Sequence, residues 1–389
     1  MTVPFVRNAV DYVRRYWQAE VFTYFVATCV ILVSVAAVAL LIRRRQKSVA
    51  AYVWLVGIAG IVVYLIFDLK AGSPVEAIHF LQYGMLSLLL YLAFAHRVRD
   101  HSIYVAATIT GSFIGMLDET IQWLSPGRFF GTEDIWLNFT AVALVQIALA
   151  VGIRPRSISG WPDGAGLRRL CRLGAIAIAY LGLCFLNTPD RIAWISARMP
   201  LPDFVADNNN VMVEYGFLLG DAASGIFRSR LSVEDLRRSA RDRALAGGQV
   251  LDQYRDRELF DEFLKTYTPM NDPFLHEAGV HLYNRDVYLQ RARDATEDDL
   301  RRRQFTSAYG ENRILEDYFG ELLGASSARW SAALEAEVKG KIDNNQIFES
   351  WVSRHLITAY TRQQAFWFFL CAVVGLLSLS RFFGRQAIV

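Results

Sequence analysis

The chain has 389 residues, of which 53% are hydrophobic and only 20% are charged. This composition excludes a disordered chain and is atypical of a soluble globular protein. The formal net charge of +3 is too small to indicate a nucleic-acid partner. The four cysteines lie mostly in apolar runs, which excludes a disulfide framework and a thiolate metal site. We therefore expect a membrane protein.

The first twenty residues have the pattern of an amphipathic helix. Apolar side chains recur at alternating spacings of three and four, and charged side chains fall on the other face. This predicts an interfacial helix over residues 1–20 that lies on the membrane surface, with partner docking as the alternative role. The apolar positions are Val3, Val6, Val10, Val13 and Trp17, and the charged ones are Arg7, Asp11, Arg14 and Arg15.

Seven apolar stretches reach or approach the roughly 17 to 25 residues that a spanning helix needs. The fourth is the weakest, because Asp118 and Glu119 interrupt it near its end. The first is followed by Arg43 to Arg45 rather than by a small-residue cleavage site, so we expect it to be a retained span and not a signal peptide. The predicted spans cover about residues 21–42, 51–67, 77–95, 103–124, 135–153, 170–186 and 365–383.

The basic residues of the short connections indicate the orientation. Lys and Arg are enriched in the cytoplasmic loops of membrane proteins, and most of those in the short connections here fall in alternate connections. We therefore predict an extracytoplasmic N-terminus and a cytoplasmic C-terminus. The residues assigned to the cytoplasmic side are Arg43, Arg44, Arg45, Lys47, Arg97, Arg99, Arg154, Arg156, Arg168, Arg169, Arg172, Arg381 and Arg385.

The region 187–363, between the sixth and seventh spans, is polar and has no cysteine. Helix-start signals at Ser232, Asp272 and Thr296 favour about six or seven helices of about 12 to 20 residues and no strands. Breaks are expected at Gly247, Gly248, Thr268, Pro269, Gly310, Gly324 and Gly340.

The predicted fold is therefore an all-α polytopic membrane protein of about seven transmembrane helices with an inserted helical extracytoplasmic domain. The interfacial helix 1–20 precedes a six-helix membrane domain over 21–186. The extracytoplasmic domain covers 187–363. A C-terminal transmembrane helix with a short cytoplasmic tail covers 364–389.

Polar residues interrupt the third, fourth and fifth predicted spans at one side of the bilayer. Pairs four residues apart share a helix face, and the three helix ends meet because successive spans run in opposite directions. By the orientation above, that side is the outside. Ionisable groups at such positions are costly, so they are functional candidates. The cluster comprises His79, Tyr83, Asp118, Glu119, Gln122, Arg128, Asp134 and Asn138.

These polar positions carry a resemblance to a known family. The segments His79-x3-Tyr83, Asp118-Glu119-x2-Gln122, Pro126-x-Arg128 and Asp134-x3-Asn138 resemble, in order, the pattern of VanZ-like integral membrane proteins. The resemblance covers about residues 50–153. It implies a bacterial envelope protein, and the founding member is associated with resistance to the glycopeptide antibiotic teicoplanin. The rest of the chain, including 187–363, has no counterpart in the minimal family.

Three interpretations of the cluster compete. In the first it binds a lipid-linked molecule, with Arg128 holding an anionic headgroup and His79, Asp118 and Glu119 as candidate acid–base catalysts. In that case Tyr83, Gln122, Arg128, Asp134 and Asn138 are the binding residues. In the second it holds a divalent cation. In the third the groups only fix helix packing. We expect no resident metal and no cofactor.

His276 and His281 resemble a zincin motif but are five residues apart, whereas the zinc-binding motif needs four. An ordinary helix surface with one half-buried histidine is the expectation there.

Two classes of function remain open. The first is an inner-membrane envelope protein whose outward-facing polar site binds, with or without modifying it, a lipid-linked or cell-wall-related molecule. Its partners would be membrane lipids and that substrate. The second is a non-catalytic subunit that contacts other members of a membrane complex through 187–363. Whether the protein is an enzyme stays open, and no nucleic-acid partner is expected.

Overall fold

The structure is a computed structural model that describes residues 20–69, 77–125, 128, 130–202, 211–221, 225–343 and 346–386. The described part is mostly helical with little strand. It divides into two compact units: unit 1 comprises Met1–Leu183 with Trp367–Val389, and unit 2 comprises Cys184–Phe366. The predicted interfacial helix lies outside the described residues, apart from its last residue.

The elements of unit 1 that precede unit 2 are α1 (Glu20–Arg43), α2 (Val49–Leu69), α3 (Ala77–Phe94), α4 (Ser102–Trp123), α5 (Thr132–Ile147, continued by the π-helical turn Ala148–Ile153) and α6 (Gly164–Phe185). The elements that follow are α7 (Pro189–Ser196), β1 (Phe217–Asp221), β2 (Gly225–Ser229), α8 (Val233–Asp242), α9 (Ala244–Gln253), the 3₁₀ turn Arg257–Leu259, α10 (Phe260–Thr266), α11 (Pro273–Asp294), α12 (Asp298–Gly324), α13 (Ala332–Lys339) and α14 (Arg362–Gln386).

Several helices of unit 1 are long and apolar enough to cross a membrane. Five meet this condition among the described residues, in α1, α2, α3, α5 and α14. A sixth span is obtained when α6 is joined with α7 as one broken span. A helix keeps every backbone hydrogen bond within its own segment, as the hydrocarbon core requires. The protein is therefore a multi-pass membrane protein.

Helix α4 is long enough to span, since 22 residues rise about 33 Å, but it does not have the required hydropathy. It is packed against both α3 and α5. Its buried residues are polar or small at many positions, including Glu119 and Gln122. Burial between two apolar helices lets α4 carry polar residues that a lipid-facing helix would not.

Small residues bring α4 close to α5. A side chain at Gly111 would meet Val142 Cγ1 at 2.9 Å, and one at Gly115 would meet Asn138 Cβ at 3.1 Å. Two glycines four residues apart form the close-approach motif of membrane helix pairs. Farther along, Ser87 Oγ donates to the Val142 carbonyl (2.9 Å), and Gln146 Nε2 donates to Ser87 Oγ (2.8 Å). These contacts fix α3, α4 and α5 as one packed group.

Unit 2 is built around a buried apolar core. Helices α11 and α12 pack against each other, and residues of α8 and α9 complete the core. Phe227, Phe319 and Leu322 are fully buried there. The helix signals at Ser232 and Asp272 are confirmed, because their side chains accept hydrogen bonds from the Asp235 and Leu275 amides.

The helix expected at Thr296 is present, with its N-cap one residue later, at Glu297. Other local predictions for this region are wrong. Gly247, Gly248 and Gly310 lie inside helices rather than at breaks. The reason is packing: a Cβ at Gly247 would collide with Leu322, and one at Gly310 with Phe348. Helix lengths also differ, from the seven residues of α10 to the 27 of α12.

The expectation of no strands is also wrong. Strands β1 and β2 form an antiparallel hairpin in which Phe217 pairs with Ser229 and Asp221 with Gly225. Gly220 and Gly225 have φ values of +89° and +86°, a region that favours glycine. The strands are only five residues long, and β1 buries only Leu219, so its sequence shows little of the alternation that marks a strand.

Candidate functional site

The eight polar residues singled out in the sequence lie at the start of α3, the end of α4, the α4–α5 connection and the start of α5. Helices α3, α4 and α5 pack on one another, so these ends lie side by side. The structure therefore brings the residues into one polar cluster within unit 1. Pro126, which is part of the family pattern, lies outside the described residues.

Hydrogen bonds join the three helices through the carboxylates of α4. The Tyr83 hydroxyl donates to Asp118 Oδ2 at 3.1 Å, which links α3 to α4. Gln122 Nε2 donates to Glu119 Oε1 at 2.7 Å within α4. The Gly131 amide, at the N-terminus of α5, donates to Glu119 Oε2 at 3.1 Å. Asp118 and Glu119 are neighbours in sequence, yet each faces a different helix.

Arg128, Asp134 and His79 make the other contacts of the cluster. Arg128 donates a hydrogen bond from its guanidinium to Gln122 Oε1. Asp134 interacts electrostatically with His79 and Arg128. The His79 ring stacks on the Tyr83 ring, with centroids 6.2 Å apart and planes 15° apart.

The cluster has a buried and an accessible layer. Tyr83, Glu119, Gln122 and Asn138 are each no more than 4% exposed and form the inner layer. His79, Asp118, Arg128 and Asp134 are partly exposed and form the outer layer. A ligand in contact with the outer layer would meet one guanidinium, one imidazole and two carboxylates.

Some buried polar atoms of the cluster have no hydrogen-bond partner among the described residues. Asn138 is fully buried, and neither its Oδ1 nor its Nδ2 has a hydrogen-bond partner among the described residues. The buried Nδ1 of His79 is likewise without one in that part of the chain. A buried unpaired amide costs about 1 to 3 kcal/mol, more in surroundings without water. An unpaired Asn138 at the centre of the cluster lowers stability, so helix packing alone does not explain why this residue is there.

Four residues that position the cluster were not singled out in the sequence. Gly111 and Gly115 set the distance between α4 and α5, and Ser87 and Gln146 fix α3 to α5. The signal for the first pair was the Gly-x3-Gly spacing inside an apolar helix. Ser87 is four residues after Tyr83 and Gln146 is eight after Asn138, so each continues a polar helix face already noted.

The arrangement permits proton transfer and ion binding. Asp118 is partly exposed and accepts the hydrogen bond of the Tyr83 phenol, and the His79 ring stacks on the same phenol, so two acid–base side chains lie within one cluster. Among the described residues, no group of three or more His, Cys, Asp or Glu side chains has the arrangement of a metal site.

The zincin-like segment of α11 has a structural role in unit 2. The His276 ring contacts the Tyr267 carbonyl at 2.8 Å, whereas His281 Nδ1 contacts Glu311 Oε2 at 2.6 Å. Glu277 and His281 are fully buried, so the expectation of an ordinary helix surface is wrong. Burial lowers the pKa of His276. Burial raises the pKa of Glu277, although hydrogen bonds from the Arg230 amide and from Ser229 oppose that increase.

A second ionic group of unit 2 contains Glu214 and Arg230, which form an ion pair at 2.6 Å with both side chains 9% exposed. Burial opposes the ionisation of Glu214, but the contact with the His355 ring, 3.8 Å away, and the charge of Arg230 outweigh it and lower its pKa to about 2. Arg230 Nη1 also donates to Ser353 Oγ at 3.0 Å. This group links the end of β2 to the segment after α13 and has the character of a structural ion pair.

The chain matches no known family profile, and comparison with curated proteins and with solved structures finds no similar chain.

Proposed function

We propose that the polar cluster of α3, α4 and α5 is the binding site for the polar head of a lipid-linked or cell-wall-related molecule. The observation that carries this proposal is the inner layer, where the fully buried Asn138 has no hydrogen-bond partner among the described residues. A cluster that served packing alone would pair its most buried amide. The outer layer then supplies the groups that recognise the ligand.

The proposal includes a topology of seven spans. Helix α4 packs between α3 and α5 and has the length of a span, so it counts as the seventh beside the apolar helices. The basic connections then support an extracytoplasmic N-terminus, cluster and residues 187–363, in a bacterial inner membrane. On this topology the cluster receives its ligand from the outer leaflet.

The proposal also includes membership of the VanZ-like family. It is supported by the order His79, Tyr83, Asp118, Glu119, Gln122, Arg128, Asp134 and Asn138, and by the contacts that join all of these residues except Asn138. A role in glycopeptide resistance is the family expectation. Catalysis by His79, Asp118 or Glu119 would require a reacting group to be bound at the outer layer.

The test is purification of the native protein in a mild detergent, with mass spectrometry of the lipids that accompany it. Asp118→Asn is the informative variant, because an amide oxygen still accepts the Tyr83 hydrogen bond while the charge is lost. We expect a specific lipid-linked molecule with the native protein and its loss from the variant at unchanged thermal stability. An unchanged set of lipids would contradict a binding site.

A second candidate function is supported by unit 2. This unit has its own buried core, and Trp194, Trp351 and Tyr360 are each more than half exposed. Exposed aromatic side chains are enriched where proteins meet partners or the membrane interface. In this alternative the chain is a non-catalytic subunit of a membrane complex. Stoichiometric proteins in the same purification would support it.

A further inference from the structure

Helices α6 and α14 contact each other within unit 1, and the contacts show how they run. A Cβ at Gly174 of α6 would lie 3.5 Å from Leu376 Cδ1 of α14. A Cβ at Gly384 of α14 would lie 3.2 Å from three side-chain atoms of Arg168, which is near the start of α6. Contacts nearer the start of α6 thus fall nearer the end of α14. The helices are antiparallel, and the start of α6 lies beside the end of α14.

Arginines are concentrated at this end of the helix pair, and no acidic side chain neutralises them. Residues 154–185 and 367–386 contain one acidic residue, Asp163, whose Oδ1 accepts a hydrogen bond from the Gly166 amide at 2.6 Å. Among the described residues, none of the arginines of the two helices forms an ion pair. These arginines are Arg168, Arg169 and Arg172 of α6 and Arg381 and Arg385 of α14.

Arg168 differs from the other four arginines in its burial. The other four are exposed, as is usual for arginines that only orient a membrane protein. The Arg168 side chain is partly buried against Gly384, and its Nε atom is buried without a hydrogen-bond partner in the described part of the chain. A guanidinium has five N–H donors and no acceptor, and leaving such a group unpaired is costly. The environment of Arg168 therefore favours an anion that the described protein does not supply.

The arginines are well separated from the polar cluster. The Tyr180 hydroxyl of α6 donates to Thr120 Oγ1 at 2.6 Å, and Thr120 follows Glu119 of the cluster on α4. Arg168 precedes Tyr180 by 12 residues on the same helix, which is about 18 Å at the helical rise per residue. An anion at Arg168 would thus occupy a site distinct from the one proposed above.

The position and the chemistry of the arginines favour a phosphate. Both helix ends belong to long apolar segments, so the arginines lie where lipid headgroups meet the hydrocarbon. The planar guanidinium matches phosphate oxygens bidentately. Arg381 lies three residues before Gly384 on α14 and therefore on the same helix face as the contact with Arg168. The two helices each contribute one arginine to this face.

We propose that Arg168, together with Arg381, binds the phosphodiester of an anionic phospholipid between the start of α6 and the end of α14. This inference goes beyond the proposed function, because it concerns a different part of unit 1 and a different ligand. It does not depend on the proposed orientation, since phospholipid phosphates lie at both surfaces of a bilayer.

The test uses the purified full chain in mixed micelles with equimolar phosphatidylglycerol and phosphatidylcholine that have identical acyl chains. The lipids retained after repurification are quantified by mass spectrometry. Both lipids contain a phosphodiester, but the choline ammonium cancels its charge. We expect phosphatidylglycerol to be retained about tenfold over phosphatidylcholine, the ratio that about 1.4 kcal/mol gives. Equal retention of the two lipids would overturn the proposal.

High salt separates a site from a general attraction to positive charge. At about 1 M salt the Debye length is about 3 Å, so attraction to the exposed arginines is screened, whereas a partly buried contact is screened much less. The preference for phosphatidylglycerol should therefore remain at high salt. Its complete loss would mean that the arginines attract anionic lipid only as a charged surface.

A charge-removing variant tests which arginine matters. Arg168→Gln should lower the preference to about twofold or less, because it removes the guanidinium fork. Arg156→Gln is the matched control, since Arg156 is an exposed arginine in the connection before α6. It removes the same charge and should leave the preference unchanged. Equal effects of the two variants would contradict a site at Arg168.

A second variant tests the geometry without removing a charge. Gly384→Leu should displace the Arg168 guanidinium and lower the preference for phosphatidylglycerol. Gly375→Leu is the control on the same helix, because no atom lies within 4 Å of the Gly375 Cβ position. A preference that survived Gly384→Leu intact would contradict the placement of the phosphate at the helix contact.

Inorganic phosphate distinguishes a lipid from a free anion as the occupant. An excess of inorganic phosphate should leave the retained phosphatidylglycerol in place, because the lipid is also held by its acyl chains. Displacement of phosphatidylglycerol by inorganic phosphate would overturn the lipid as the occupant.

Discussion

The hydroxyl of Tyr83 donates a hydrogen bond of 3.1 Å to Oδ2 of Asp118, and this bond joins the beginning of α3 to the end of α4. Tyr83 is 1% exposed, and the His79 ring stacks on it. The bond therefore positions two groups of the outer layer, His79 and Asp118, from a residue that no ligand needs to touch. It makes Tyr83 the positioning residue of the cluster.

The first prediction concerns this bond. Tyr83→Phe should lower the free energy of unfolding by about 0.5 to 1.5 kcal/mol, the range for hydrogen bonds between membrane helices. In a double-mutant cycle with Asp118→Ala, most of that loss should disappear, because either change removes the bond. Thermal unfolding in detergent measures both.

Tyr64→Phe is the control for loss of a hydroxyl, because Tyr64 lies in α2 and is 67% exposed. It should change stability by less than about 0.5 kcal/mol. Additive effects of Tyr83→Phe and Asp118→Ala would show that the two residues do not interact.

The second prediction concerns the close approach of α4 and α5. Gly111→Ala should destabilise the protein by about 1 to 3 kcal/mol, because the new Cβ would lie 2.9 Å from Val142 Cγ1. Val142→Ala in the same chain should recover part of the loss by removing the clashing methyl groups. Gly60→Ala, where the Cβ meets no atom within 4 Å, is the control. An equal effect of the two glycine substitutions would point to the helix backbone rather than to packing.

The third prediction is a pH dependence of unit 2. The pKa of Glu214 is lowered to about 2, against the opposing effect of burial, by His355 and Arg230. A carboxyl group with a lowered pKa stabilises the fold above its ordinary pKa of about 4.5, and this contribution is lost as the pH falls towards 2. A shift of this size corresponds to about 3 kcal/mol.

Glu214→Gln should therefore destabilise unit 2 by about 3 kcal/mol at pH 7 and by clearly less at pH 3. Hydrogen exchange of peptides from unit 2 measures the difference. Glu349→Gln is the matched control, since Glu349 also pairs with an arginine but its side chain is 50% exposed. A destabilisation by Glu214→Gln that stayed constant with pH would contradict the lowered pKa of Glu214.

The fourth prediction concerns the buried Arg285. Its guanidinium donates to Asn312 Oδ1 at 3.1 Å and to the Ala328 carbonyl at 2.8 Å, and its side chain is fully buried. Arg285→Met would leave these acceptors without a donor, so we expect a loss of about 3 kcal/mol. Hydrogen exchange of α11 and α12 measures it.

Arg303→Met is the comparison for that loss, since Arg303 pairs with Asp299 on an exposed surface. It should cost less than about 1 kcal/mol. Equal losses in the two variants would mean that Arg285 contributes only its aliphatic contacts.

The fifth prediction tests the proposed orientation. A cysteine at Ser125, beside the cluster, should react with a membrane-impermeant thiol reagent in whole cells or after outer-membrane permeabilisation. A cysteine at Ser157, in the exposed connection between α5 and α6, should react only after lysis. The opposite pattern would place the cluster on the cytoplasmic side.

Among the described residues, five of the seven predicted spans, or six with the broken α6–α7 pair, are helices apolar enough to cross a membrane. These helices and the polar cluster were predictable because both depend on local patterns. Apolar runs mark helices wherever the surroundings are lipid. Polar pairs four residues apart, such as Asp134 and Asn138, mark a shared helix face. The contacts of Glu119 were not predictable, because its partner Gly131 is a backbone amide whose position depends on the α4–α5 connection.

The architecture of unit 2 was less predictable for a different reason. The hairpin depends on glycines with positive φ and on pairing with a segment far along the chain. Gly247 and Gly310 were predicted to be helix breaks. In the structure, the absence of a side chain at each leaves room for a neighbouring side chain to pack there. The sequence alone does not distinguish a glycine that ends a helix from one that leaves room for a neighbouring side chain.

The hairpin of unit 2 also pairs with the last segment of that unit. The Ile226 amide donates to the Phe348 carbonyl at 2.9 Å, and the Ile357 amide donates to the Glu214 carbonyl at 2.9 Å. During synthesis, unit 2 therefore cannot close until the chain has been made as far as Ile357, and α14 begins only at Arg362. The folding of unit 2 and the membrane insertion of α14 thus depend on neighbouring stretches of the chain, because the segment that closes unit 2 lies directly before α14.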